Sequence, residues 1–265
     1  MSTPAETLIL PFKEIWLELA AQTTSWATVH RLINDAVTHP ERLNAALGEL
    51  GHISSNHAAA ALNDLKQNAR KMATEATALL GARQSSMVYP ALVGTWAIVE
   101  SALDGIIKTI LVTDPASSKR LEAYGVKLTS EHPAGTAPWA EQMYGRVEKL
   151  AKQRAKGSIV EIHRSIFSAV GLQFDYPADR SRVIEELNEV RNCILHSQGV
   201  LDQKAAERSP RLAQYKGHPV PANDPVFMAA PLMIQNYTLA WVAALMHGPL
   251  LSAGLKPDAK NPFAT

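Results

Sequence analysis

Residues 180 to 202, RSRVIEELNEVRNCILHSQGVLD, decide how this chain is read. Val183, Leu187, Val190 and Ile194 recur at steps of four, three and four, which at about 100° per residue stacks them as one apolar stripe that must face a core. The opposite side collects Glu185, Glu189, Asn192 and His196, and Arg191 sits at the border, where a long side chain can swing toward either face. Gly199 is a natural helix stop. His196 therefore falls in the final turn, where carbonyl ends favour a cation and the chain opens into a loop.

Arg191, Asn192, three further residues and His196 spell R-x-x-x-x-H with a polar residue after the arginine. This resembles the signature of the HEPN superfamily of small helical ribonuclease domains. The continuation Ser197, Gln198, Gly199, Val200 is similar to the polar residue, glycine and extended stretch that come after the histidine in such proteins. The resemblance implies an all-α, HEPN-like bundle acting as a metal-independent endoribonuclease, with no cofactor and with RNA as its partner. It also implies a homodimer that packs motif helices around a shared cleft. By position, His196 would be the acid/base, Arg191 the phosphate-binding group, and Asn192 the residue that orients the histidine or contacts the RNA backbone. Family members act as toxins held by an antitoxin, as antiphage effectors and in RNA processing.

Elementary chemistry agrees with those residue types. Cutting RNA without a metal needs a base for the ribose 2′-hydroxyl, a donor for charge building on the phosphate and an acid for the leaving oxygen. Histidine titrates in the useful range, and the arginine fork fits phosphate oxygens while keeping its charge. On a straight helix Arg191 and His196 stand about 140° apart, so one helix does not easily aim both at a single phosphate. Two copies could.

Composition leaves that reading room. The 265 residues are 46% apolar, enough for one large helical domain or two small ones. Lys and Arg number 26 against 25 Asp and Glu, so bulk charge neither demands nor excludes a polyanion and only local patches speak to it. A single cysteine, Cys193, rules out an internal disulfide framework and points to a reducing compartment. The start, MSTPAETLILPFKEIW, lacks the pattern of a secretory signal, and a cytoplasmic protein is expected. Residues 228 to 255 form the most apolar long stretch, but Gln235, Asn236, His247 and two prolines interrupt it, so it reads as a buried core helix. P-loop, dinucleotide, C-x-x-C, H-E-x-x-H and nucleophile-elbow patterns are absent from the sequence.

Taken in order, residues 5 to 36 show apolar residues at helical spacing (Leu8, Phe12, Ile15, Trp16, Leu19), broken by Thr38, His39 and Pro40. Helical segments from about 41 to 50 and 55 to 81 come next, making residues 1 to 84 an N-terminal helical extension. A domain over 85 to 255 then opens on a strongly apolar helix ending near Thr113, with Glu100 and Asp104 one turn apart. It resembles the first HEPN helix, which often carries an acidic residue near its middle, so both are candidate supporting residues; Glu100 could equally face solvent or pair with a neighbouring helix. Residues 115 to 138 read as a loop with a helical turn near Lys119 to Tyr124, Trp139 to Lys156 as a helix, and Ser158 to Val170 as a short one. Arg146, Lys149, Lys152 and Lys156, with Arg154 nearby, form a basic stripe, the candidate RNA contact, though a charge run is usually a solvated face. Residues 203 to 227 read as an irregular loop or extended hairpin. A last helix from about 231 to 247 is expected to pack Leu232, Leu239, Trp241, Val242 and Leu245, and residues 256 to 265 are a tail.

Two other functional readings stay open on sequence grounds. A HEPN-like fold could be a non-catalytic dimerisation or nucleic-acid-binding module, or a cleft controlled by a ligand or partner sensed in the N-terminal third.

Overall fold

A computed structural model describes residues 56–78, 84–221 and 224–248, with scattered positions between 17 and 45. The helical segments expected over 5 to 36 and 41 to 50 lie in large part outside the described residues, and the tail lies wholly outside them; the break expected at Thr38, His39 and Pro40 is corrected, because residues 38–42 are helical, with the Thr38 hydroxyl donating back to Asp35 O at 3.4 Å. Among the described residues the protein is mostly helical and has no strand. The helices are α1 (Asn56–Ala78), α2 (Gln84–Thr113), α3 (Ser117–Tyr124), α4 (Ala137–Arg154), α5 (Ile159–Ala169), α6 (Ala178–Ser197), α7 (Gln203–Arg208) and α8 (Pro225–His247).

Local chemistry sets most of these ends. Thr136 accepts from the Trp139 amide to start α4, with Pro138 in its first turn. Ser158 accepts from the Glu161 amide at the head of α5, and Asp202 from Ala205 N (2.7 Å) at the head of α7. Asp224 accepts from Val226 N (2.8 Å) just before Pro225 opens α8. α3 stops at Gly125 in the left-handed region (φ 97°), where L side chains are strained.

The core lies between α2, α4, α5, α6 and α8. Leu92, Trp96, Val99, Leu103, Ile107 and Ile110 line the inner face of α2 at steps of three and four, all buried. Trp139, Met143, Val147 and Ala151 of α4 meet them, and Ile184, Leu187 and Val190 of α6 close the far side. Each large side chain so buried is worth about 1.5–3 kcal/mol over leaving it in water. His163, Phe167, Phe174, Tyr176, Tyr237 and Trp241 form an aromatic cluster joining α5, the approach to α6, and α8.

Three further expectations are corrected. After the motif helix the chain is not irregular: it makes α7 and a 3₁₀ turn over Pro210–Tyr215, and the hairpin is reduced to isolated bridges, Val200 with Pro219 and Leu201 with Lys216. The Asp202 cap and the proline at the first position of the 3₁₀ turn supply the physical reason. α8 begins six residues before 231, at its Asp224 cap. Finally, Leu232 and Leu239 face outward, at 62% and 47% exposure, while Phe227, Ile234, Tyr237 and Trp241 turn inward.

Among the described residues α8 is the one helix long and apolar enough to cross a membrane. Its inner side chains fill the core.

Candidate functional site

α6 carries the candidate site, and its neighbours hold it on several sides: α2, α5, α7 and α8 all pack against it. The face that the sequence presents as polar is largely consumed by this packing. The Glu185 carboxylate accepts from Ser158 Oγ (2.5 Å), Ile159 N (3.0 Å) and Val160 N (3.0 Å), closing the first turn of α5. Glu189, buried, accepts from Arg208 of α7 at 3.1 Å, and Glu186 from Arg211 at 2.7 Å. Arg211 also reaches the buried Asp224, which accepts from Tyr215 as well. These carboxylates fasten α6 to α7 and to the 3₁₀ turn.

Arg191 leaves the border position toward α2. Its Nη2 meets Glu100 Oε2 at 2.8 Å and its Nη1 donates to Asn192 Oδ1 at 3.1 Å, while Nε is buried without an acceptor. The structure thus joins three of the sequence-derived site residues, Arg191, Asn192 and Glu100, in one hydrogen-bonded group. Asp104 is not joined to Arg191 by an ion pair. Lys108 takes it at 2.8 Å and also reaches Glu141 of α4. Together with Glu148 these carboxylates surround Tyr144, whose hydroxyl is pushed up, first by burial and then by their charge. Each of these carboxylates is itself ion-paired, Asp104 and Glu141 with Lys108 and Glu148 with Lys152.

His196 is exposed in the last turn of α6 and forms no hydrogen bond or ion pair among the described residues. Beside it Cys193 is buried, which pushes its thiol up and keeps it inert as a nucleophile. The helix ends on Gln198 (φ 53°) and Gly199 (φ 86°), whose amide donates to Cys193 O at 2.9 Å. Tyr89 of α2 lies against this end and donates to Val220 O at 2.7 Å. A Cβ on Gly199 would come within 2.5 Å of the Tyr89 ring. Nothing in the local sequence signals that contact, because Tyr89 lies on another helix.

Gly199→Ala should therefore cost about 2–4 kcal/mol, from left-handed backbone strain and overpacking together. Urea unfolding checks it. Added Tyr89→Leu should recover part of the loss, so that the two effects are non-additive; additive losses would separate the glycine from the ring.

The basic stripe on α4 is mostly spent internally. Arg146 donates to Lys127 O; Arg154 donates to Tyr124 O at 2.9 Å and stacks its guanidinium 4.3 Å over the Tyr124 ring. Lys152 pairs with Glu148 at 2.7 Å. Lys149 and Lys156 are left exposed, with no ion pair among the described residues. The stripe tethers α4 to α3 and its loop more than it presents a continuous cationic face.

No three His, Cys, Asp or Glu side chains among the described residues gather as a metal cage. Comparison with family models, curated proteins and solved structures yields no match.

Proposed function

We propose that this chain is a metal-independent endoribonuclease of the HEPN type, a toxin or defence effector, with His196 and Arg191 as its catalytic pair. The observation that supports it best is the hydrogen-bonded group of Arg191 and Asn192 on α6 with Glu100 of α2, with His196 exposed in the last turn of α6 and without a hydrogen bond or ion pair among the described residues. In this reading the neutral His196 imidazole takes the proton of the ribose 2′-hydroxyl, whose oxygen attacks the adjacent phosphorus. The P–O5′ bond breaks, and the imidazolium of a second copy protonates the leaving oxygen. Arg191 carries the charge on the non-bridging oxygens, and Asn192 orients it. The products are a 2′,3′-cyclic phosphate and a 5′-hydroxyl.

Glu100 holds Arg191 in the absence of RNA. The carboxylate is half exposed, and such a surface pair is worth about 1 kcal/mol or less, so a phosphate can take its place. The buried, unpaired Nε of Arg191 gains an acceptor when the guanidinium swings out to do so. The engagement of Arg191 by Glu100 at 2.8 Å favours a second reading, a HEPN-like module that binds a partner and cuts nothing.

The experiment is to incubate wild type and His196→Ala with labelled RNA in excess chelator and to sequence the cut ends, with circular dichroism on both proteins. Cyclic-phosphate ends from wild type, with cleavage lower by about 10²–10⁴-fold in the variant, are expected. Equal cutting by both, or none by either, overturns the enzymatic reading, and a wild-type protein that binds RNA uncut supports the module.

A further inference from the structure

Beyond the motif helix the chain comes back to that helix's end. Leu201 N donates to His218 O at 3.1 Å and Gly217 N to Leu201 O at 2.8 Å, so the turn Lys216–Gly217–His218 is fastened five positions past His196. The bridges of Val200 with Pro219 and of Leu201 with Lys216 hold the same register. Both flanks of the turn are fixed as well. Tyr215 donates to the buried Asp224 at 2.9 Å, and Val220 O accepts from Tyr89 at 2.7 Å, the same ring that covers Gly199. Five residues of chain reach at most about 18 Å, and the helical last turn, with Gly199 N back on Cys193 O, shortens that span. His196 and the turn therefore share one end of α6.

Lys216 and His218 are exposed and form no side-chain hydrogen bond or ion pair among the described residues. At Gly217 between them a Cβ would meet nothing within 4 Å, so the tip of the turn is open. Acids nearby are already engaged. Between Val190 and Val220 the sequence has only Asp202 and Glu207; the first caps α7 at Ala205 N and the second accepts from Gln203. The carboxylates that fasten this segment to α6, Glu186, Glu189 and Asp224, are matched by Arg208 and Arg211. Lys216 is thus an unspent charge on a backbone that needs no ordering before it binds.

We propose, on the nuclease reading of His196, that this turn holds the RNA phosphate neighbouring the one that is cut. Lys216 supplies the charge and an imidazole N–H of His218 a hydrogen bond. Both are positioning residues: they fix the strand across the end of α6 and take no part in making or breaking bonds. Their loss therefore falls on KM and leaves kcat.

The test uses the full chain. Binding of a labelled single-stranded RNA oligonucleotide is measured against salt in the His196→Ala background, where the strand stays uncut. Adding Lys216→Ala should weaken binding several-fold and flatten the dependence of log affinity on log salt by about 0.7, the share of one phosphate on a single strand. Lys216→Arg should restore that slope, and His218→Ala should weaken binding several-fold. Lys119→Ala, exposed on α3, should change neither quantity. With His196 intact, Lys216→Ala should raise KM several-fold at unchanged kcat. Unchanged affinity and slope in Lys216→Ala, with circular dichroism intact, overturns the proposal even where the wild type cuts. So does an equal loss in Lys119→Ala, which would make the effect one of general charge. A protein that never cuts, yet loses slope with Lys216, overturns the nuclease reading alone and supports the turn as an RNA contact. No RNA binding by any variant or by wild type overturns both.

Discussion

Trp241→Ala should lower the unfolding free energy by about 3–5 kcal/mol, a large share of the total for a domain of this size. Trp241 is fully buried on α8 and meets His163 and Tyr237 with ring centroids 5.4 Å away and Phe167 at 5.8 Å. These rings cannot collapse into the void together, because Tyr237 is on the same rigid helix and His163 is held by its hydroxyl at 2.8 Å. The loss therefore combines the transfer of the indole to water with a cavity that stays open. Thermal and urea unfolding measure it; a cost below about 1 kcal/mol would show that the cluster is not packed as described.

The second large effect is acid sensitivity. His163 is buried with Tyr237 as its hydrogen-bond partner, and burial holds its pKa down at about 3. An unfolded histidine titrates near 6.5. Between those values the unfolded chain takes a proton that the folded chain refuses, so stability is complete above about pH 6.5 and falls as pH drops toward about 3. The slope is at most about 1.4 kcal/mol per pH unit. Urea midpoints measured from pH 7 to pH 4 should fall less steeply for His163→Phe than for wild type, over a constant offset from the orphaned Tyr237 hydroxyl. Parallel curves would place the acid sensitivity elsewhere.

Legibility in the sequence differs by element. The end of α6 is legible, because Gly199 marks a helix stop whatever surrounds it. The inward turn of Glu185 and Glu189 is not: period alone separates apolar from polar positions and does not reveal that a polar side will face other helices. α8 exposes a different blind spot. A helix with no charged residue before its last turn has no polar face to set its orientation, so hydrophobicity alone points Leu232 and Leu239 inward although the core takes Phe227, Ile234 and Trp241. The signal for its true start is present in Asp224 and Pro225, a cap ahead of a first-turn proline.

For the candidate site, Arg191, Asn192 and His196 are readable as a spacing on one helix, whereas the contact between Arg191 and Glu100 spans 91 residues and no local rule reaches it. The basic stripe is visible as charge, but its use as a set of tethers depends on Tyr124 and Lys127, which only the fold brings alongside.

The capping of α5 by Glu185 constrains how this sequence can drift. The first turn of one helix is closed by a carboxylate that belongs to another, and Ser158 donates to that same carboxylate. Positions 158 and 185 thus form one inherited unit, and a lineage that loses the acid must find a new way to close α5 before it can keep the motif helix where it stands.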